Sequence, residues 1–173
     1  MKFPKIRLGA LLGIICIGCG DKPFAEYNPP GGKFKIQFPG TPKVSTIPAQ
    51  NNTQVTMHGV EGFSGGYMVN HYDAPGPVPQ DADFAQKALS EDIKGMFSAK
   101  AKGTVQSQKN IKLQGQYHGI EYVGTITSPR TMDIRGRIYL VGSRVYNTTV
   151  MGSTEKVNSE NANKFLDSFQ ATP

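Results

Sequence analysis

The run from Thr131 to Met151 (TMDIRGRIYLVGSRVYNTTVM) constrains the fold more than any other part of the chain. Residues 131–141 and 144–151 have the β-branched and aromatic composition of strands, and only Gly142-Ser143 separates them. A two-residue loop between strands is a hairpin connection, and glycine in its first position predicts a type II′ turn. The two strands are therefore antiparallel, with Val141 opposite Arg144. That register places Ile134, Ile138, Leu140, Val145 and Met151 on one face. Arg135, Arg137, Tyr139, Tyr146 and Val150 take the other. A fold for this chain must contain an antiparallel sheet with an apolar face to cover.

The remaining segments supply more strands and two covering helices. Phe34, Ile36 and Phe38 alternate with Lys33, Lys35 and Gln37, the period of a half-buried strand. Pro39-Gly40-Thr41-Pro42 predicts a turn, and Lys43 to Ile47 the return strand of a hairpin. Gln54 to Val60 and Tyr67 to Asp73 form a second pair, followed by a proline-rich crossover at 74–80 that is neither helix nor central strand. Asp81 then reads as a helix N-cap, with Asp83 in the first turn. Phe84, Ala88, Leu89, Ile93, Met96 and Phe97 recur at helical spacing as one apolar stripe, and Gly103 marks the stop, for a helix of about 18 residues. Strands follow at 104–108, 111–113 and 120–126, ahead of the hairpin. A last helix starting at Asn158 or Ser159 buries Ala162, Phe165, Leu166 and Phe169.

The order is strands, helix, strands, helix, without the repeated pattern of a parallel βαβ sheet. The expected class is α+β: a central antiparallel β-sheet with two helices packed on it, spanning residues 33–170. An opening strand that runs into proline (FKIQFPGTP), a central helix, the meander containing RGRIYLVGSRVYNTTV and a closing helix with KFLDSF resemble the PsbP/DcrB-like superfamily. The resemblance implies an α/β/α sandwich and a non-enzymatic accessory or assembly role. It carries over no catalytic motif.

The N-terminus reads as an address. Lys2, Lys5 and Arg7 form a positive region with no acidic residue, and Leu8 to Ile17 an apolar stretch of roughly ten residues, too short to span a bilayer. Ile17-Gly18-Cys19-Gly20 follows. The segment resembles the bacterial lipoprotein signal, which implies cleavage between Gly18 and Cys19, thioether diacylation of Cys19 and acylation of the new amine. Cys16 departs from the aliphatic residue usual three positions before the cysteine. An ordinary cleavable signal and an uncleaved anchor are the alternatives. Cys16 and Cys19 are the only cysteines, too close together to staple a domain. Residues 1–18 are thus expected to be a signal peptide. Residues 19–32 (CGDKPFAEYNPPGG) then form a lipidated N-terminus and flexible linker with a reach on the order of 40 Å. The partners implied are a membrane, through the anchor, and an envelope protein.

Charge and motifs narrow the chemistry. Without residues 1–18, 16 basic residues face 13 acidic ones, a net charge of +3 that is no nucleic-acid footprint. Gly62-Phe63-Ser64-Gly65-Gly66 matches the G-x-S-x-G nucleophile elbow, and Ser64, Asp73 and His118 stand in serine–acid–histidine order. The elbow requires a strand-to-helix turn, however, and here strands lie on both sides. Ser153-Thr154-Glu155-Lys156 matches S-x-x-K without the companion S-D-N and K-T-G motifs. His58, His71 and His118 lack metal-ligand spacing, although His71 and Asp73 share a strand face that His58 can approach. No metal or cofactor is expected. The candidate binding surface is the hairpin face with Arg135, Arg137, Tyr139 and Tyr146, since arginine and tyrosine are enriched at interface hot spots. The expected role is non-catalytic binding or assembly. The alternatives are a small serine hydrolase using Ser64 and a carrier of a small apolar ligand held between sheet and helix.

Overall fold

In the computed structural model, Val141 lies opposite Arg144, and Gly142 takes φ 61° while Ser143 stays outside the left-handed region, as a type II′ loop requires. The residues described are 23–49, 53–62, 65–76, 78–97, 102–128 and 130–173. Gly18, Cys19 and Ser64 lie outside them. Along the described chain the elements are β1 (Phe24–Tyr27), β2 (Phe34–Pro39), β3 (Lys43–Pro48), β4 (Gln54–Gly62), β5 (Gly65–Asp73), α1 (Ala82–Met96), β6 (Gly103–Leu113), β7 (Tyr117–Ile126), β8 (Met132–Val141), β9 (Arg144–Gly152), α2 (Thr154–Val157), α3 (Glu160–Asp167) and β10 (Gln170–Ala171).

Seven strands form one antiparallel sheet in the order β3-β4-β5-β9-β8-β7-β6. It consists of two meanders, β3 to β5 and β6 to β9, joined where β5 pairs with β9. Helix α1 carries the chain from the middle of the sheet to its far edge and covers one face. Ile134, Ile138, Leu140 and Val145 pack there with Ala85, Leu89, Ile93 and Phe97. The opposite face is covered by α3 and by a small sheet of order β1-β2-β10. The result is the expected α+β class, an antiparallel sheet with helices packed on it.

Several local expectations are corrected. Strand β2 does not form a hairpin with β3. It pairs with β1 and β10, while β3 pairs with β4, so the Pro39–Pro42 segment passes the chain between layers. The reason is burial: Phe34, Ile36 and Phe38 are fully enclosed against the main sheet, which an edge-strand position would not allow. Residues 24–27 are a strand in antiparallel register with β2, not flexible linker, so the folded domain begins before residue 33. On α1 the buried stripe is Ala85, Leu89, Ile93 and Phe97, while Phe84 and Met96 are 39% and 37% exposed. Gly103 begins β6 instead of capping the helix. Its bare Cα lets Phe97 close down, since a Cβ there would lie 2.7 Å from that ring. Residues 103–113 form one strand, not two, with a bulge between Val105 and Ser107. Its polar middle reflects an exposed edge position. Helix α2, unforeseen, precedes the expected last helix, whose N-cap is Ser159.

Aromatic rings lock the layers together. Phe34 is 0% exposed and meets Tyr27, His58, His71, Tyr146 and Phe169 at centroid distances of 5.4–6.5 Å. In the sheet, Tyr122 lies over Gly136, where a Cβ would stand 2.4 Å from its hydroxyl oxygen and 2.8 Å from the Thr148 carbonyl oxygen. Phe34→Ala is expected to cost about 3–5 kcal/mol through the cavity it leaves. Gly136→Ala should cost about 1–3 kcal/mol through overpacking. Urea unfolding followed by circular dichroism measures both. A midpoint unchanged in either variant would contradict the packing described.

Candidate binding surface and the buried histidine pair

The four residues expected to form one binding surface divide between core and rim. Tyr139 and Tyr146 are 3% and 1% exposed. Tyr139 stacks on Phe169 with centroids 5.6 Å apart and planes 3° apart, and the Tyr146 hydroxyl donates to the carbonyls of Gly32 and Lys33 at 3.0 and 3.1 Å. Both rings lie under the small sheet and the C-terminal segment, so the hairpin face is a packing surface and not an open one. The alternation is legible in the sequence, but what covers it is not, because β2 reaches this face from a distant part of the chain.

The arginines lie at the margin of that layer and are paired. Arg137 donates from Nε to Glu121 Oε2 and from Nη1 to Asp167 Oδ1, each at 2.7 Å. Arg135 donates to Glu121 Oε1 at 3.2 Å and to Asn163 Oδ1 at 2.8 Å. Partial burial works against charge on Glu121, but hydrogen bonds from Arg137 and the two guanidinium charges outweigh it and hold the carboxyl below its usual range. These bonds tie β7 and β8 to α3. Beside them opens a cleft of about 500 Å³, whose polar lining includes Gln114, Arg137, Asp167 and Gln170 and whose floor includes Tyr139 and Phe169. Apart from Arg137 and Tyr139, sequence reading had no signal for this wall, which draws on β6, α3 and β10.

The histidines behave differently. His58 on β4 and His71 on β5 come together in the layer beneath β1, with Nε2 atoms 3.2 Å apart. The Tyr27 hydroxyl is 3.0 Å from His58 Nδ1, making a chain of hydroxyl, imidazole and imidazole. His58 is 3% exposed. Burial lowers its pKa, and that of His71 falls to about 4 through burial, then the Arg144 charge and the His58 neighbour, against a raising influence from Asp73. Asp73 is engaged by Arg144, which donates to it at 2.6 and 2.7 Å and to the Gly31 carbonyl at 3.0 Å. Bonding to Arg144, ahead of an opposing burial effect, keeps the Asp73 carboxyl below its usual range.

His118 sits three strands away on β7, on the opposite face with Ile120. Among the described residues no group of three His, Cys, Asp or Glu is placed to hold a metal ion.

The two catalytic look-alikes fall on structural positions. Gly62 pairs with Gly65 across a β4–β5 hairpin, so the strands flanking the G-x-S-x-G motif are antiparallel neighbours and not a strand and a helix. Ser64 itself lies outside the described residues. Ser153 caps α2 by accepting from the Lys156 backbone N–H, and the Lys156 ammonium lies 4.6 Å from the Tyr67 ring centroid. No helix among the described residues is long and apolar enough to cross a membrane.

Protonating the histidine pair opposes its burial, so acid should loosen the layer that carries β1. Unfolded histidine takes up a proton near 6.5, whereas the folded pair resists until lower pH. Stability is therefore full above about 6.5 and is expected to fall as pH drops toward about 4. Urea midpoints across that window, compared with the His58→Gln/His71→Gln double variant, test this. Equal slopes in both proteins would show that the pair is not the sensor.

No protein-family model matches the sequence, and no curated protein does. Among solved structures, a protein from Bacteroides thetaiotaomicron is 9% identical with a TM-score of 0.47, covering 86% of this chain and 48% of its own. A protein of unknown function from Pseudomonas aeruginosa is 10% identical with a TM-score of 0.46, covering 81% and 90%. Cyanobacterial PsbP from Synechocystis is 10% identical over 90% of this chain and 96% of its own, with a TM-score of 0.56, and with it the chain shares its fold.

Proposed function

We propose that the chain is a membrane-anchored envelope lipoprotein whose PsbP-like domain binds or assembles with an envelope partner and does no chemistry. The observation that carries the anchor is the order of residues: a basic start, a short apolar stretch, then Ile17-Gly18-Cys19. The domain beyond it has no other cysteine, so Cys19 is the single thiol that remains after cleavage at Gly18. Two or three acyl chains on one residue give stable anchoring, since each buried methylene adds about 0.8 kcal/mol. The PsbP-like fold supports an accessory role, in line with the PsbP/DcrB-like resemblance. We assign the partner-binding site to the cleft beside Arg137, a polar recess of about 500 Å³ bordered by residues from several elements.

Cys19→Ser is expected to move the protein from the membrane to the soluble fraction and to remove the lipid mass from its N-terminus. Retention on membranes, unprocessed in both forms, would overturn the anchor. Ser64→Ala should leave any phenotype intact, whereas its complete loss in a folded protein would favour the hydrolase. For the cleft, Arg137→Glu is a poor probe because it sets three carboxylates together with Glu121 and Asp167. Exposed Gln170→Glu changes the cleft's lining without breaking those bonds. It should weaken crosslinking of the domain to its partner in intact cells. An unchanged crosslinking pattern would remove the cleft as the binding site.

A further inference from the structure

The pairing of β1 changes the length of the tether, and with it the orientation of the domain. Phe24 lies opposite Pro39 in the small sheet, so the chain is already part of the fold five residues after Cys19. Five extended residues span at most about 18 Å, not the reach on the order of 40 Å expected from a linker to residue 32. The anchor therefore holds one end of the domain close to the lipid.

That end is identifiable from the register. Strand β9 runs from Arg144 to Gly152, about 27 Å at strand rise. Tyr67 pairs with Val150 toward its second end, and the Phe24 ring meets Tyr67 edge-on at 5.9 Å. The turns 31–33, 114–116 and 142–143 lie at the other end, the first of them clamped to Arg144.

Two ammonium groups cap the aromatic pair at the anchored end. Lys164 lies over Phe24 at 4.9 Å and Lys156 over Tyr67 at 4.6 Å. Tyr67 is 3% exposed, so the surface at this end is the partly buried Phe24 ring with the two lysine side chains around it, a mixture that suits a phospholipid surface. Glu155 and Glu160 lie on the same two helices, so charge alone would give little affinity. The short covalent tether supplies the effective concentration that a weak contact needs.

We propose that the end bearing Phe24, Lys156 and Lys164 rests on the phospholipid headgroups of the membrane that holds the anchor. This rests on the lipoprotein reading above. Its test is lysine acylation of the full-length protein in native membranes, read by mass spectrometry against the soluble Cys19→Ser form. Lys43, Lys156 and Lys164 at the anchored end should lose reactivity in membranes. Lys33 and Lys112 at the distal end should keep theirs. The same spectra report the lipid mass on Cys19. Lipid present with equal reactivity at both ends would overturn the proposal and leave the anchor standing, whereas absent lipid would overturn both. A flexible Gly-Ser insert directly after Gly20 should restore reactivity at the anchored end. Protection that persists with the insert would overturn the short tether as its cause.

Discussion

Burial of Phe34 is the contact on which the rest of the structure depends. Its ring lies where β1, β4, β5, β9 and the C-terminal segment converge, and it is wholly shut off from water. Remove it and the small sheet has no central anchor, because β1 and β10 are held mainly through β2. The turn before it is fixed independently. Arg144 binds Asp73 with two nitrogens and reaches back to the Gly31 carbonyl, and Tyr146 holds the Gly32 and Lys33 carbonyls. Charge-assisted bonds at the turn and ring packing below it thus position one strand from both ends.

This arrangement also explains where the polar side chains went. The His58–His71 pair, the hairpin arginines and the capping serine all have chemistry in principle, and each is engaged in holding the fold. His58 and His71 bridge β4 and β5 under β1, the arginines join β7 and β8 to α3, and Ser153 starts α2. A small domain with two faces to cover needs such bonds where its layers meet at an edge, since apolar packing fixes area more than orientation. The cleft beside Arg137 is what that edge leaves open.

Most of the main sheet was legible because its signals are local. Gly142-Ser143 sets a register, and alternation from it separated Ile134, Ile138 and Leu140 from Tyr139 and Tyr146 correctly. Asp81 as an N-cap and the closing helix with Phe165 and Leu166 were equally direct. The misreadings are nonlocal. FKIQFPGTP is a good hairpin by local rules, and only the need to bury Phe34, Ile36 and Phe38 on a distant face sends β2 elsewhere. Phe24 to Tyr27 offers one weak alternation amid proline and glycine, and becomes a strand only because β2 is there to pair with it. For the candidate site, His58 and His71 could be placed on neighbouring strands, but not the Tyr27 that completes the chain. The wall of the cleft joins residues more than fifty positions apart, which no periodicity reports.

The direction of β1 has a mechanical consequence. The chain enters β1 at Phe24 and runs toward Tyr27, antiparallel to β2. Under the proposed lipid anchor, tension between membrane and domain acts along the strand axis. It loads the four register positions from Phe24–Pro39 to Tyr27–Ile36 together, in shear, and does not peel them apart in turn. A strand leaving at right angles would give way one pair at a time. Beyond β1, the same pull passes to the 31–33 turn, where the Arg144–Asp73 pair and the Tyr146 hydroxyl resist it. The histidine pair under Tyr27 sits between these two points of resistance. Its loss of neutrality in acid weakens the hold on β1 from below, while the arginine clamp, whose carboxylate partner stays ionised to lower pH, remains.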